Sequence, residues 1–197
     1  MVVFRGGLIV PMSTASQPRY DRVAVWVHWI VGVGVLAQLA FGWTLGGIPR
    51  GTPARAFTTN LHKSTGLLLA LLILVRLFWR LRHSPPAYPV GIDAWQLRAA
   101  KFVHRLLYVC MIGMPVSGYV ASNFSKHGIR FLNLVLWPPW GPDDPQVYRL
   151  FNGTHDALGF VFSALVVGHI LFALYHGFFK HDSILARMSL VRDRRVP

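Results

Sequence analysis

The chain has 197 residues, of which 53% are hydrophobic, and it carries a formal net charge of +13. In a water-soluble protein that excess of Lys and Arg would indicate a nucleic-acid-binding surface. Here the basic residues lie between long apolar runs, so membrane topology and anionic lipid account for them and nucleic acid is not expected as a partner. The single cysteine, Cys110, excludes an intramolecular disulfide.

The two ends of the chain are polar and basic. Residues 1–22 contain three Arg among Ser, Thr, Gln and Pro, which predicts a flexible N-terminal tail. Met12 is followed by S-T-A-S, which predicts an alternative start of translation there. Residues 182–197 are predicted to be a basic C-terminal tail. The stretch between the tails, 23–181, is then one membrane domain.

Four long apolar segments follow one another along this domain. They cover about 23–45, 58–81, 98–121 and 152–180. Each is longer than an ordinary globular helix and long enough to cross a bilayer. The sequence therefore predicts an all-α membrane protein built as a four-helix transmembrane bundle.

The distribution of Lys and Arg predicts the orientation of the bundle. With four spans, 14 of the 20 basic residues fall on the side of the two termini and six fall on the other side. Loops rich in Lys and Arg stay in the cytoplasm, so both termini are predicted to be cytoplasmic. The loop 122–151, which contains Trp137 and Trp140, is then external, and its aromatic residues suit the membrane interface.

The histidines of the apolar segments lie at two depths. His155 and His169 are 14 residues apart in the fourth segment, which places them on one helix face and about 21 Å apart along its axis. His62 lies near the external end of the second segment and His28 near the cytoplasmic end of the first. The four therefore form two levels: His62 with His155 outside, and His28 with His169 inside.

Glycine follows three of these histidines at the fourth position, on the same helix face. The three glycines are Gly32, Gly66 and Gly159. Each leaves a flat recess beside the imidazole, which suits a porphyrin and which a bare metal ion does not need. A single intramembrane histidine is often only a hydrogen-bonding group between helices, but four on two matched levels favour two bis-histidine haems.

Three further side chains near the cytoplasmic level have open interpretations. His176, seven residues beyond His169, is a rival ligand on nearly the same face. Arg76 lies 14 residues after His62 and either pairs with a haem propionate or extends to the interface as a topogenic residue. His104 is expected to be a polar group near the inner haem or a quinone, or simply an interfacial residue.

Several sequence segments resemble the bacterial cytochrome b561 family of four-helix di-haem membrane proteins. The segments are 22–29 (RVAVWVHW), 61–80 (LHKSTG followed by LLLALLILVRLFWR), 104–108 (HRLLY), 115–118 (PVSG), 155–169 (HDALGFVFSALVVGH) and 180–188 (KHDSILARM). The resemblance covers about residues 20–190. Any one motif is weak evidence, but the motifs occur in the family's order.

The resemblance implies that His28, His62, His155 and His169 are the axial ligands of two haem b groups. It also implies a multi-pass protein of the bacterial inner membrane that passes electrons between a quinone, such as ubiquinone, and a redox partner outside. Some members of the family oxidise superoxide, so a superoxide-oxidising oxidoreductase is one expectation.

Two alternatives stay open at this stage. The first is the cytochrome b electron-transfer or anchor subunit of a larger oxidoreductase, as in hydrogenases and formate dehydrogenases. A histidine-lined metal transporter is less favoured, because it would group its ligands with carboxylates at one level.

Overall fold

The computed structural model describes residues 19–88, 92–180 and 184–190. Its main elements are α1 (Arg22–Leu45), α2 (Pro53–Arg82), α3 (Ala94–Asn123) and α4 (Pro145–Phe178). All four helices are long and apolar enough to cross a membrane. The predicted all-α, four-helix membrane architecture is therefore confirmed. Most of the predicted N-terminal tail, 1–18, lies outside the described residues.

The helices are longer than the apolar segments, chiefly at the N-terminal ends of α2 and α4. Helix α2 begins at Pro53, where the Thr52 hydroxyl caps the first turn, and α4 begins at Pro145, where the Asp144 carboxylate does so. Proline at the first helical position and an oxygen-bearing cap are a common start. These capped first turns are polar, so a hydropathy pattern does not include them. Helix α4 ends at Phe178, two residues before the predicted end.

The helices pack as two close pairs, α1 with α2 and α3 with α4, which meet around a buried apolar core. The core residues are Val31, Val35, Ile73, Cys110, Met111 and Phe162. Each helix contributes to this cluster, in which Cys110 serves as a small packing residue. Many large apolar side chains face outward instead, for example Val33 and Val109 at 62% and 61% exposure, as expected for a lipid-facing surface.

The loop between α3 and α4 contains a small β-hairpin that the sequence pattern does not predict. Its strands, β1 (Ile129–Phe131) and β2 (Val135–Trp137), pair antiparallel. Leu132 and Asn133 in the turn have positive φ angles of 50° and 61°, and a branched residue such as leucine rarely adopts that region. The Leu132 amide donates a hydrogen bond of 2.8 Å to the Ser64 hydroxyl, so contact with α2 holds the turn in this conformation.

Asp21 connects the start of α1 to the end of α2. Its carboxylate accepts hydrogen bonds from the Ala24 amide at 2.8 Å and from Nε1 of Trp79 at 3.1 Å. Partial burial acts to raise the pKa of Asp21, but these hydrogen bonds outweigh it, and the pKa lies below its ordinary value. The charged carboxylate thus caps α1 and fixes the neighbouring helix end.

Part of the predicted C-terminal tail packs against the helices. A 3₁₀ turn covers Leu185–Met188, and within it Arg187 is only 5% exposed. The Arg187 guanidinium donates hydrogen bonds to the carbonyl oxygens of Pro86, at 2.6 Å, and Ala87, at 3.1 Å. It also lies over two aromatic rings. They belong to Tyr20 and Tyr88, at 5.4 and 5.0 Å.

Replacing Arg187 with alanine should destabilise the protein. The change removes charge-assisted hydrogen bonds, which contribute about 2 kcal/mol, so Tm in detergent should fall by roughly 4–8 °C. The matched control is Arg105→Ala, which truncates an exposed arginine of α3 and should leave Tm unchanged. Equal Tm values for both variants would show that the segment does not stabilise the bundle.

Candidate functional site

Two histidine pairs lie inside the bundle, one towards each end. In the first pair, His62 of α2 faces His155 of α4, with ring centres 6.3 Å apart and ring planes at 90°. In the second pair, His28 of α1 faces His169 of α4 at the same 6.3 Å, with planes at 75°. The structure thus brings together the histidines that the depth argument pairs.

The spacing within each pair has the length that a bridging metal ion requires. Two metal–imidazole bonds of about 2 Å each account for about 4 Å of the 6.3 Å. The remainder, about 1.2 Å per ring, is close to the distance between the centre of an imidazole and its own nitrogen. Two rings in hydrogen-bond or stacking contact have no reason to repeat this value at both levels. The residues present therefore fit an iron held between two imidazoles.

Hydrogen bonding fixes the orientation of His155. Its Nδ1 lies 2.9 Å from the backbone oxygen of Met114 and 3.3 Å from the hydroxyl of Ser117, both on α3. A carbonyl oxygen only accepts, so Nδ1 carries the proton and Nε2 keeps its lone pair. This is the usual arrangement of a metal-binding histidine, whose other nitrogen is held by a second group.

His62 is held from α1 by Gln38. The Gln38 amide nitrogen donates to the backbone oxygen of His62 at 2.7 Å and lies 3.2 Å from Nδ1 of the same residue. Thr65 donates from its hydroxyl to the amide oxygen of Gln38 at 2.9 Å. His155 therefore has Nε2 free to bind a metal, whereas Gln38 presents an N–H donor, and no acceptor, to Nδ1 of His62.

Two glycines permit this close packing around the first pair. A Cβ atom at Gly118 would stand 3.0 Å from the ring of His155, and one at Gly42 would stand 3.3 Å from the ring of His62. Such distances are shorter than normal van der Waals contact. Helices α3 and α1 thus approach the two rings because these positions carry no side chain.

The three glycines that follow the histidines by four residues have different surroundings. Gly32 has open space where a Cβ atom would stand, and at Gly159 the nearest atom is 3.9 Å away. At Gly66 the Gln38 amide nitrogen is only 3.0 Å away. The interpretation of Gly66 as a recess for a flat ligand is therefore wrong, because Gln38 fills that space.

The second pair has a third histidine and an arginine nearby. His104 of α3 lies 5.3 Å from His169 between ring centres, which is too short for a metal ion between two imidazoles. Arg76 lies close enough to His28, His104 and His169 to interact with each electrostatically. Arg76 is thus at the level predicted from its position in the sequence.

His176, the rival ligand, lies in different surroundings. It is buried, and its ring centre is 4.4 Å from that of Phe172 and 5.7 Å from that of Tyr175. The ring that faces His28 is that of His169, whereas His176 packs among aromatic rings.

Four basic residues lie on the side of the hairpin and differ in their contacts: Lys63, Lys126, Arg130 and Arg149. Lys63 donates from Nζ to the Gly128 carbonyl at 3.0 Å, and Lys126 forms an ion pair with Asp143 at 3.6 Å. Lys126, Arg130 and Arg149 are all exposed, and of these Lys126 is paired with Asp143.

Sequence reasoning missed the groups that support the first pair. Gln38 was identifiable, because an amide in the middle of an apolar span is costly and by default functional. Gly42 and Gly118 were not, since small residues are frequent wherever membrane helices pack. The backbone oxygen of Met114 leaves no trace in a sequence.

This arrangement defines a class: a helical membrane bundle that holds a prosthetic group between side chains of facing helices. The model of the prokaryotic cytochrome b561 family matches residues 19–189, and the chain belongs to this family. Cytochrome b561 homolog 1 of Escherichia coli (strain K12) is 25% identical over 170 residues, which are 86% of this chain and 96% of the relative. Homolog 2 from the same strain is 26% identical over 178 residues, 90% and 95% of the two chains.

Membership of this family implies transmembrane electron transfer through b-type haem. Haem iron accepts histidine as an axial ligand, and its potential depends on burial and on the hydrogen bonds of the ligands. The paired histidines of the bundle match that chemistry.

Replacing Gly118 with alanine should disturb the first pair selectively. The added Cβ would press on the His155 ring at 3.0 Å, so the haem content or the reduced absorption spectrum of the purified protein should change. Gly153→Ala is the matched control, because that position of α4 has no atom within 4 Å. Identical spectra for both variants would show that His155 tolerates displacement.

Proposed function

We propose that the chain carries electrons across the membrane through two haem b groups, one held by each histidine pair. His62 and His155 would bind one iron, and His28 and His169 the other. The observation that supports this most directly is the 6.3 Å spacing of ring centres, which occurs in both pairs. An iron held by one imidazole nitrogen on each side would have no coordination position left for a substrate.

A haem ligated on both faces supplies one-electron transfer when bound. The protein's part is to bind, orient and bury the group. α4 contributes one ligand at each level, and the apolar core around Phe162 keeps water from the region between the levels. The open space beside Gly32 suits a flat ring at the second pair.

Arg76 is the natural partner for a carboxylate at the second level. It lies within electrostatic range of His28 and His169, and its guanidinium carbon is 5.9 Å from the ring centre of Tyr108. An arginine inside a membrane requires an anion. The propionate of a haem held by the second pair meets that need, because guanidinium and carboxylate pair through two hydrogen bonds.

The location that fits these features is the bacterial inner membrane, with both termini in the cytoplasm. The basis is the excess of Lys and Arg on the side of the termini. In that orientation the first pair lies towards the outside and the second towards the cytoplasm. The hairpin and its tryptophan then lie at the outer interface.

The proposed reaction links a membrane quinone to an electron donor at the outer surface, with superoxide as the candidate donor. Two superoxide ions would each lose one electron and become dioxygen. One ubiquinone, or a related quinone, would gain the two electrons and two protons and become quinol. Arg130 and Arg149 are exposed and would attract a small anion to this side.

Two other functions are weaker fits. An electron-transfer or anchor subunit of a larger oxidoreductase would use the same haem ligands, so association with a partner distinguishes it. A metal transporter would need more ligands at one level. Within residues 19–88, 92–180 and 184–190, no three His, Cys, Asp or Glu side chains are arranged to hold a metal ion.

Single histidine substitutions test the ligand assignment. Alanine at any one of the four paired positions should remove or alter one haem, measured as haem per chain and as the reduced absorption spectrum. His176→Ala and His104→Ala are the matched controls and should retain both haems. Two normal haems in His169→Ala would contradict the assignment, and a wild-type protein without a reduced b-type band would contradict the function.

The proposed superoxide activity should depend on ionic strength. Salt screens attraction between exposed charges over about 8–10 Å, so superoxide-driven quinone reduction should slow as salt is added. Arg130→Ala combined with Arg149→Ala should lower the rate at low salt and weaken its salt dependence. A rate that is unchanged by added salt and by the two substitutions would exclude this steering. Stable co-purification with other redox subunits at native expression would instead favour the role as a subunit of a larger oxidoreductase.

A further inference from the structure

Gln38 occupies a position that the assignment of ligands alone does not explain. It lies in the middle of α1, which contributes no ligand to the first pair, yet its amide contacts His62 at two atoms. The amide oxygen is also engaged, since Thr65 donates to it at 2.9 Å. Gln38 is thus held from α2 on both ends of its amide.

The orientation of the amide follows from these contacts. A backbone carbonyl only accepts hydrogen bonds, so the group 2.7 Å from the His62 oxygen is the amide nitrogen. The Thr65 hydroxyl donates to the opposite end, which is the amide oxygen. The same amide nitrogen therefore faces Nδ1 of His62 at 3.2 Å.

The space for this contact depends on Gly66. A Cβ atom there would stand 3.0 Å from the Gln38 amide nitrogen, closer than a normal contact. Gly66 lies one helical turn beyond His62 on the same face. Helix α2 therefore contributes the three features that hold Gln38 in place: the ring of His62, the hydroxyl of Thr65 and the space beside Gly66.

The two rings of the first pair face different partners at Nδ1. His155 faces a carbonyl oxygen, which accepts its proton in a hydrogen bond, whereas His62 faces an amide nitrogen. An acceptor at this nitrogen makes the imidazole a stronger electron donor to a metal. An amide N–H only donates, so it gives a proton on Nδ1 of His62 no acceptor. With a metal at Nε2, the His62 ring would therefore be the weaker electron donor of the first pair.

We propose that Gln38 is a positioning residue for the haem of the first pair, fixing the ring plane of His62 and setting that haem's redox potential. This inference rests on the proposed function, because it takes His62 as a ligand. Thr65 acts with Gln38 by holding its amide oxygen. The second pair lies beyond the reach of Gln38 and is unaffected.

The test uses full-length protein with both haems and measures the two potentials and the ferric electron paramagnetic resonance spectrum. Gln38→Leu should shift the potential of the first-pair haem, change its signal and weaken its retention about tenfold or more. The signal is informative because it depends on the angle between the ligand planes, which is 90° in this pair. Thr65→Val should cause a smaller shift of the same haem.

Two further variants keep the test decisive if Gln38→Leu loses haem. Gln38→Glu retains the size of the side chain and offers an acceptor to Nδ1, so it should lower the potential of the first-pair haem. Thr44→Val is the matched control on α1, since the Thr44 hydroxyl bonds only the Phe41 carbonyl of its own helix, and it should change neither haem.

Unchanged potential and resonance signal of the first-pair haem in Gln38→Glu and Thr65→Val would overturn the proposal. Equal shifts of both haems would overturn it as well, because a positioning role is confined to one pair. The proposed function fails separately, when the unsubstituted protein shows no pair of low-spin haem signals.

Discussion

The distance between two imidazole rings is the constraint on which the rest of this bundle depends. The ring centres must be 6.3 Å apart at two levels, and a single helix, α4, supplies one ring to each. Because 14 residues bring an α-helix almost back to the same face, both rings of α4 point to the same side. Helices α1 and α2 must then both run close to that side, with His28 of α1 and His62 of α2 at different heights. This requirement fixes the arrangement of three helices.

Helix α3 supports the ring of His155 but contributes no histidine to either pair. Its Met114 carbonyl accepts the hydrogen bond from Nδ1 of His155, and its Gly118 leaves the room for that approach. In lipid, apolar burial contributes little to helix association, so packing and hydrogen bonds between helices matter more. The contact between α3 and α4 therefore both holds these two helices together and orients the ring of His155.

The architecture and the histidine pairs could be predicted because they depend on periodicity and charge. Apolar length gave the four spans, and the spacing of His155 and His169 with the order of the spans gave the partners. The hairpin between α3 and α4 could not be predicted, since a leucine at positive φ, as at Leu132, contradicts local preference and depends on contacts with α2 such as the bond to Ser64. Gly66 was misinterpreted because the sequence does not show that Gln38 occupies the adjacent space.

The proposed orientation has an energetic consequence for Arg76. The two levels are about 21 Å apart in a hydrocarbon core of about 30 Å. An electron moving inward over this distance works against about 1.6 kcal/mol per 100 mV of membrane potential, negative inside. A carboxylate near the second pair would oppose that electron further. In the proposed orientation Arg76 of α2, at the level of His28 and His169, would compensate the carboxylate's charge and so remove this added opposition to the electron.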